Sequence, residues 1–280
     1  MMSQSRFVCY TLDLEHDYAG VAPVETYETL TRLSELERLS TIVRRHGLKL
    51  TAFATGRFLE QQRDAVLFFQ ELGAEVELHG YNHPMHKPDF VAEAEWGVAA
   101  YRTFFGKTPL GYRSPGGITS PLLFETLVKV GIHYDSSIVP SFRWGVYSNL
   151  NGPTAPHLCP GFPLMELPIG VVPRIRLPVA TSYIRLLGWP TYRMLFRLFG
   201  TPSPLVYLFH LVDLVPVPMR KRLTPLLRGA YARAEGKGLD VFEASVRFFE
   251  TAGYMPIHMS DLYRDHVAER VTQQASLGGC

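Results

Sequence analysis

Cysteine is scarce in this chain of 280 residues, and its copies, Cys9, Cys159 and Cys280, stand far apart with no C-x-x-C pair. That pattern argues against a disulfide framework and a thiolate-built metal site, and it fits a reducing compartment. No uninterrupted apolar run reaches the roughly 18 residues that span a bilayer as a helix. Met1 to Arg6 lead straight into Phe7-Val8-Cys9-Tyr10 with no apolar stretch of a cleaved secretory signal, so a cytoplasmic protein is expected. An excess of one charge is lacking too: 28 basic residues face 26 acidic ones, and a net charge of +2 gives no footprint for nucleic acid. Internal repeats, low-complexity tracts and Gly/Ser linkers are missing, which makes a single domain over 1–280 the economical organisation.

What the chain does have is alternation. Short β-rich runs recur between longer helical patterns, the signature of βα units around a parallel sheet. Strands are predicted at Phe7 to Leu12, Leu48 to Thr55, Ala74 to Leu78, Leu110 to Tyr112, Ile132 to Tyr134, Met165 to Leu167, Leu205 to Phe209 and Tyr254 to Ile257. Leu30, Leu33, Leu36, Leu39, Ile42 and Val43 keep helical spacing up to a capping Gly47, and Phe58 to Leu72 reads as one helix. Seven or eight strands with helices between them predict a closed or nearly closed α/β barrel. Residues 170–230, apart from the strand at Leu205, are rich in Leu, Arg, Pro and aromatics without a tidy period. Two readings stand for them: an elaboration over the barrel mouth, or ordinary apolar packing with arginines reaching outward.

Chemistry gathers at the predicted strand ends, where βα barrels keep their active sites. His79-Gly80-Tyr81-Asn82-His83 sets two imidazoles four apart just after a strand, with Gly80 able to turn the backbone so that both rings converge. Neutral imidazoles suit zinc, and also cobalt, nickel or manganese; two of them with a carboxylate leave positions open for water and substrate. The first strand runs into Asp13-Leu14-Glu15-His16-Asp17, and alternation sends Asp13 and Glu15 to the same side. One of the two could then ligate a metal while its neighbour handles a proton. Arg113 follows one later strand, His210 ends another, and His258 ends the last.

In this order the motifs Asp13-Leu14-Glu15, His79 to His83, Arg113-Ser114-Pro115 and Leu208-Phe209-His210 resemble those of the NodB-type polysaccharide deacetylases, carbohydrate esterase family 4. Tyr134-Asp135-Ser136-Ser137 and Glu166-Leu167-Pro168 look like segments of its bacterial members. The resemblance runs from about Phe7 to Leu262. It implies a (β/α)7-type, deformed TIM-like barrel and a metal-dependent hydrolase that removes an N-acetyl or N-formyl group from an amino sugar. It further implies Asp13 as catalytic base, Arg113 as the group that orients it, and His210 as the acid that protonates the leaving amine. Tyr112, Pro115 and Glu166 are expected to contact substrate. Backbone beside Asn82 to Pro84, or the metal itself, would hold the oxyanion. The first motif departs from the family's two adjacent aspartates, since Leu14 follows Asp13; the resemblance implies that an acid after it joins His79 and His83 on the metal, with Glu15 favoured on strand geometry and Asp17 as its rival. The family's order of elements also favours His210 over His258, which is read as structural.

The sugar is expected to be part of a glycan, or lipid-linked, or nucleotide-linked. The basic cluster from Arg174 to Arg228 suits a phosphate-bearing or lipid-linked substrate at the inner face of the membrane. Two other functions compete: a related barrel that opens a small non-sugar amide or ureide, and a catalytically silent carbohydrate-binding barrel. Intact His79 and His83 weigh against the first, and Asp13, Arg113 and His210 together against the second.

Overall fold

A computed structural model describes residues 6–22, 24–84, 88–144, 146–225, 228 and 236–277; the opening Met1 to Ser5 and Cys280 lie outside them. The chain begins with β1 (Arg6–Leu14), α1 (Leu33–Arg45), β2 (Leu50–Ala54), α2 (Gly56–Gln61), α3 (Arg63–Glu71), β3 (Glu75–Leu78), α4 (Phe90–Phe105), β4 (Gly111–Tyr112) and α5 (Pro121–Val130). It continues with β5 (Tyr134–Asp135), β6 (Phe142–Arg143), β7 (Tyr147–Ser148), β8 (His157–Leu158), β9 (Met165–Glu166), α6 (Thr181–Leu187) and α7 (Trp189–Phe199). Then come β10 (Leu205–His210), α8 (Leu211–Leu214), α9 (Gly238–Thr251), β11 (Tyr254–Pro256) and α10 (Met259–Leu277).

A curled sheet runs in the order β10-β1-β2-β3-β4-β5-β9, all parallel, with β8 antiparallel at the edge and β11 beside the first half of β1. The chain after β9 reaches round to β10: the Gly170 N–H donates to the Val206 carbonyl, and Ala180 bridges Leu208. This is the (β/α)7-type barrel the motifs imply, closed by isolated bonds where a ladder would stand.

Both faces of such a sheet are covered, so the strands read as apolar runs. Alternation decides which face each side chain takes. Tyr10, Leu12 and Leu14 of β1 join the large core between sheet and helices, with Tyr207 and Phe209 of β10 and the α1 stripe Leu36, Leu39, Ile42 and Val43. Cys9 and Val206 turn the other way and fill the barrel interior with Phe53, Met165, Leu167, Met259 and Leu262. The inward column of β1 is therefore Cys9, Thr11, Asp13, and that of β10 is Val206, Leu208, His210. Each begins apolar deep in the barrel and ends in a chemical group at the rim.

One element differs from expectation. The helix predicted over Phe58 to Leu72 breaks at Gln62, whose φ of −124° and ψ of 47° lie outside the helical region. Across 170–230, α6 and α7 form an outer layer against α9, with Tyr192 buried and Phe196 stacked on Phe248. The same segment sends Ala180, Tyr183 and Leu186 into the wall of the main cleft.

Candidate active site

The cleft at the carboxyl ends of the strands has a volume of about 340 Å³, and Asp13, Glu15, His79, His83, Arg113 and His210 lie along its polar side. Asp13 is at its centre. Opposite it on the neighbouring strands are His210 and Phe53. Its Oδ1 accepts from Arg113 Nη1 at 2.8 Å, while Oδ2 lies 3.5 Å from His210 Nε2 and 3.8 Å from His79 Nε2.

Arg113 is buried and fully engaged. Besides Asp13 it donates to Thr11 Oγ1 at 3.0 Å, to the Ser136 carbonyl at 3.0 Å and to Ser136 Oγ at 3.1 Å, and its guanidinium lies 4.1 Å above the Phe53 ring. A guanidinium fixed from so many directions pins one oxygen of Asp13 and leaves the other facing the histidines.

Glu15, His79 and His83 form a cluster whose donor atoms all lie within 4.8 Å of one another. Glu15 Oε2 is 2.8 Å from His83 Nε2 and 3.2 Å from His79 Nε2. Oε2 of Glu15 and Nε2 of His79 are buried and make no hydrogen bond. His79 Nδ1 donates to the Arg113 carbonyl at 2.8 Å, which leaves the Nε2 lone pair free to point at a cation. Burial works against a charged Glu15, but His83 and His79 outweigh it and hold the carboxyl well below the usual range. An ionised carboxylate and two correctly presented imidazoles fit a divalent ion such as zinc.

The turn carrying the histidines is held from below. Gly80 has a φ of 68°, and a Cβ there would stand 3.0 Å from Glu93 Oε2; His83 itself is left-handed at 63°. Glu93 of α4 accepts from the Tyr81 and Asn82 amides at 2.8 and 2.9 Å. The Asn82 N–H is thus committed to Glu93 and Pro84 has no N–H, which removes two of the backbone positions expected to hold an oxyanion.

His210 Nδ1 is 3.2 Å from Asp213 Oδ2, which also accepts the His210 backbone N–H at 3.1 Å. Burial disfavours the charged ring, yet Asp213, Glu15 and Asp13 raise its pKa to about 9. A ring protonated at neutral pH is equipped to donate.

Four expected residues lie elsewhere. Asp17 faces away from the cleft: it accepts from Thr29 Oγ1 at 2.7 Å, from Thr26 Oγ1 at 3.2 Å and from the Thr29 amide, tying down the loop after β1. Glu166, expected to touch substrate, is fully buried beside Asp135, its register partner, and accepts the Ile138 N–H at 2.9 Å. Burial and the neighbouring Asp135 charge raise its pKa well above the usual range. Tyr112 and Pro115 line a small crevice with Pro84 and Phe90, apart from the main cleft. His258 caps the far side, with Nε2 3.1 Å from the Gly73 carbonyl.

Sequence reasoning missed Glu93, Asp213, Thr11 and Ser136. Only Asp213 had a local signal, an acid three residues after a histidine at a helix start, where it completes a capping box.

Residues 27–134 match the family model described as polysaccharide deacetylase. A peptidoglycan deacetylase of Helicobacter pylori is 27% identical over 111 residues, which are 37% of this chain and 37% of that protein. The matched stretch thus spans little more than a third of the curated relative. Among solved structures, one from Mycobacterium smegmatis described as a putative polysaccharide deacetylase superposes with a TM-score of 0.57 at 15% identity, covering 96% of this chain and 93% of that one. An allantoinase superposes at 0.61 with 16% identity, covering 94% and 91%. A CE4 family pseudoenzyme from Bacillus anthracis gives 0.54 at 11%, covering 93% and 66%. At these identities the superpositions speak for the barrel alone, and the likeness to the polysaccharide deacetylase model rests on residues 27–134, less than half of the chain.

Proposed function

We propose that the protein is a metal-dependent hydrolase that removes an N-acetyl or N-formyl group from an amino sugar. The observation that carries this reading is the position of Asp13, one oxygen fixed by Arg113 and the other between His210 and the Glu15, His79 and His83 cluster. A divalent cation held by Glu15, His79 and His83 would supply Lewis acidity toward the acyl oxygen and make water more acidic. Asp13 then takes the proton of the attacking water, Arg113 holding it aimed. His210, charged and braced by Asp213, gives a proton to the departing nitrogen. An amide needs both transfers, because an amine leaves poorly unless it is protonated as the bond breaks.

Metal analysis of the purified protein, joined to acetate or formate release from N-acylated sugars, tests the proposal. Bound zinc, cobalt, nickel or manganese and acid release that disappears on chelation are expected. No metal uptake and no release from glycan, lipid-linked or nucleotide-linked substrates would sink it, and ring opening of a cyclic ureide by the loaded protein would replace it with the small-amide reading.

Peripheral membrane contact is a second, separate proposal, carried by α7. Its exposed side chains include Arg193, Met194, Arg197 and Leu198, two arginines and two apolar groups four residues apart, which share one helix face. Such a face suits an anionic bilayer surface. Flotation with phosphatidylglycerol vesicles should carry the protein up and should fail for a variant with Arg193→Glu and Arg197→Glu; a parent that stays at the bottom of the gradient would end the idea.

A further inference from the structure

Beyond its catalytic polar groups, more of the cleft's lining is apolar than polar. The apolar part of its wall is built from Val21, Val139, Ile169, Leu186, Leu208 and Val212, supplied by the loop after β1, the chain flanking β5 and β9, and the elements α6, β10 and α8. Tyr147 and Tyr183 also line it. A bare sugar has hydroxyls on every edge, and a hydroxyl buried without a partner is costly. This wall offers such groups few partners. It offers instead apolar surface that includes Leu186, which lines the cleft and is 37% exposed.

Resting on the deacylase reading of the site, we infer that the substrate carries a hydrocarbon chain next to the reacting amide, bedded along this wall and leaving past Leu186. That chemistry has two sources: a long acyl group on the nitrogen, which departs with the acid product, or a lipid attached to the sugar, which stays with the amine product. In either case water adds to the amide carbon, the C–N bond breaks, and the nitrogen takes the proton from His210. Only the place of the chain differs.

Two substrate series separate these sources. One lengthens the acyl group of N-acylglucosamine from acetyl to decanoyl; the other lengthens the glycoside of N-acetylglucosamine from methyl to octyl. In the series that matches, kcat/KM should climb by up to about fourfold per methylene while the chain is being buried. Leu186→Asp should flatten that climb. Binding of octyl against methyl β-glucoside, below the detergent's micelle concentration, gives a readout that needs no turnover. Octyl glucoside should bind at least about tenfold more tightly by the same arithmetic. Turnover of short substrates with a flat or falling response in both series, and equal binding of the two glucosides, would overturn the inference and leave the deacylase reading standing. Tight octyl binding with no turnover of any amide would do the reverse.

Discussion

Asp13→Asn is expected to lower kcat by about two to four orders of magnitude, the usual contribution of a positioned acid or base, while the protein keeps its metal and its fold. Asparagine has the shape of aspartate, and its amide oxygen can still accept from Arg113 Nη1, now 2.8 Å from Oδ1. The change falls on the other atom. An NH2 in place of Oδ2 would face His210 and His79, at present 3.5 and 3.8 Å away, and it cannot take a proton from water. Steady-state kinetics at matched metal content make the comparison clean. The substitution leaves Arg113 three other acceptors in Thr11 and Ser136, so the cost in stability should stay below the roughly 3–5 kcal/mol of a broken buried ion pair. A variant that turns over within about threefold of the parent, far inside that range, would remove Asp13 from the role of base.

The groups that were legible in the sequence share a property: each ends or follows a strand whose apolar run fixes its phase. Thr11 to Asp13 and Leu208 to His210 alternate in step, so the inward path of Asp13 and His210 follows from the period of a strand. His79 and Arg113 were legible because β3 and β4 stop just before them. The groups that were not legible act from a distance in sequence. Glu93 lies on a helix ten residues beyond His83, and only the packing of α4 brings it under the histidine turn. Glu166 looked like a substrate contact because it stands beside a familiar segment, but the register of β5 and β9 sets it against Asp135 inside the protein. The break at Gln62 was hidden for a related reason: Leu59 and Val66 are seven apart and fit one continuous helix face, so the periodicity is blind to it.

Glu15 and Asp17, two acids a single residue apart, should respond to substitution in opposite ways. Glu15→Ala should weaken zinc binding by more than the roughly 10–100-fold lost with an outer-shell partner, because it removes the sole carboxylate of the cluster and leaves two imidazoles. Acid release should fall with it, and dialysis against a graded chelator series, read by bound zinc, measures the loss. Asp17→Asn should leave zinc affinity intact and destabilise the fold by about 1–3 kcal/mol in urea, the cost of a buried donor left without its acceptor. The reason lies in what each acid faces. Glu15 Oε2 makes no hydrogen bond and looks at two ring nitrogens, whereas the oxygens of Asp17 are taken by Thr26 and Thr29. Adding Leu14 between Asp13 and the next acid does not disturb the site for the same reason: alternation turns Leu14 into the outer core and returns Glu15 to the side of Asp13. Zinc lost from Asp17→Asn and kept by Glu15→Ala would reverse this assignment.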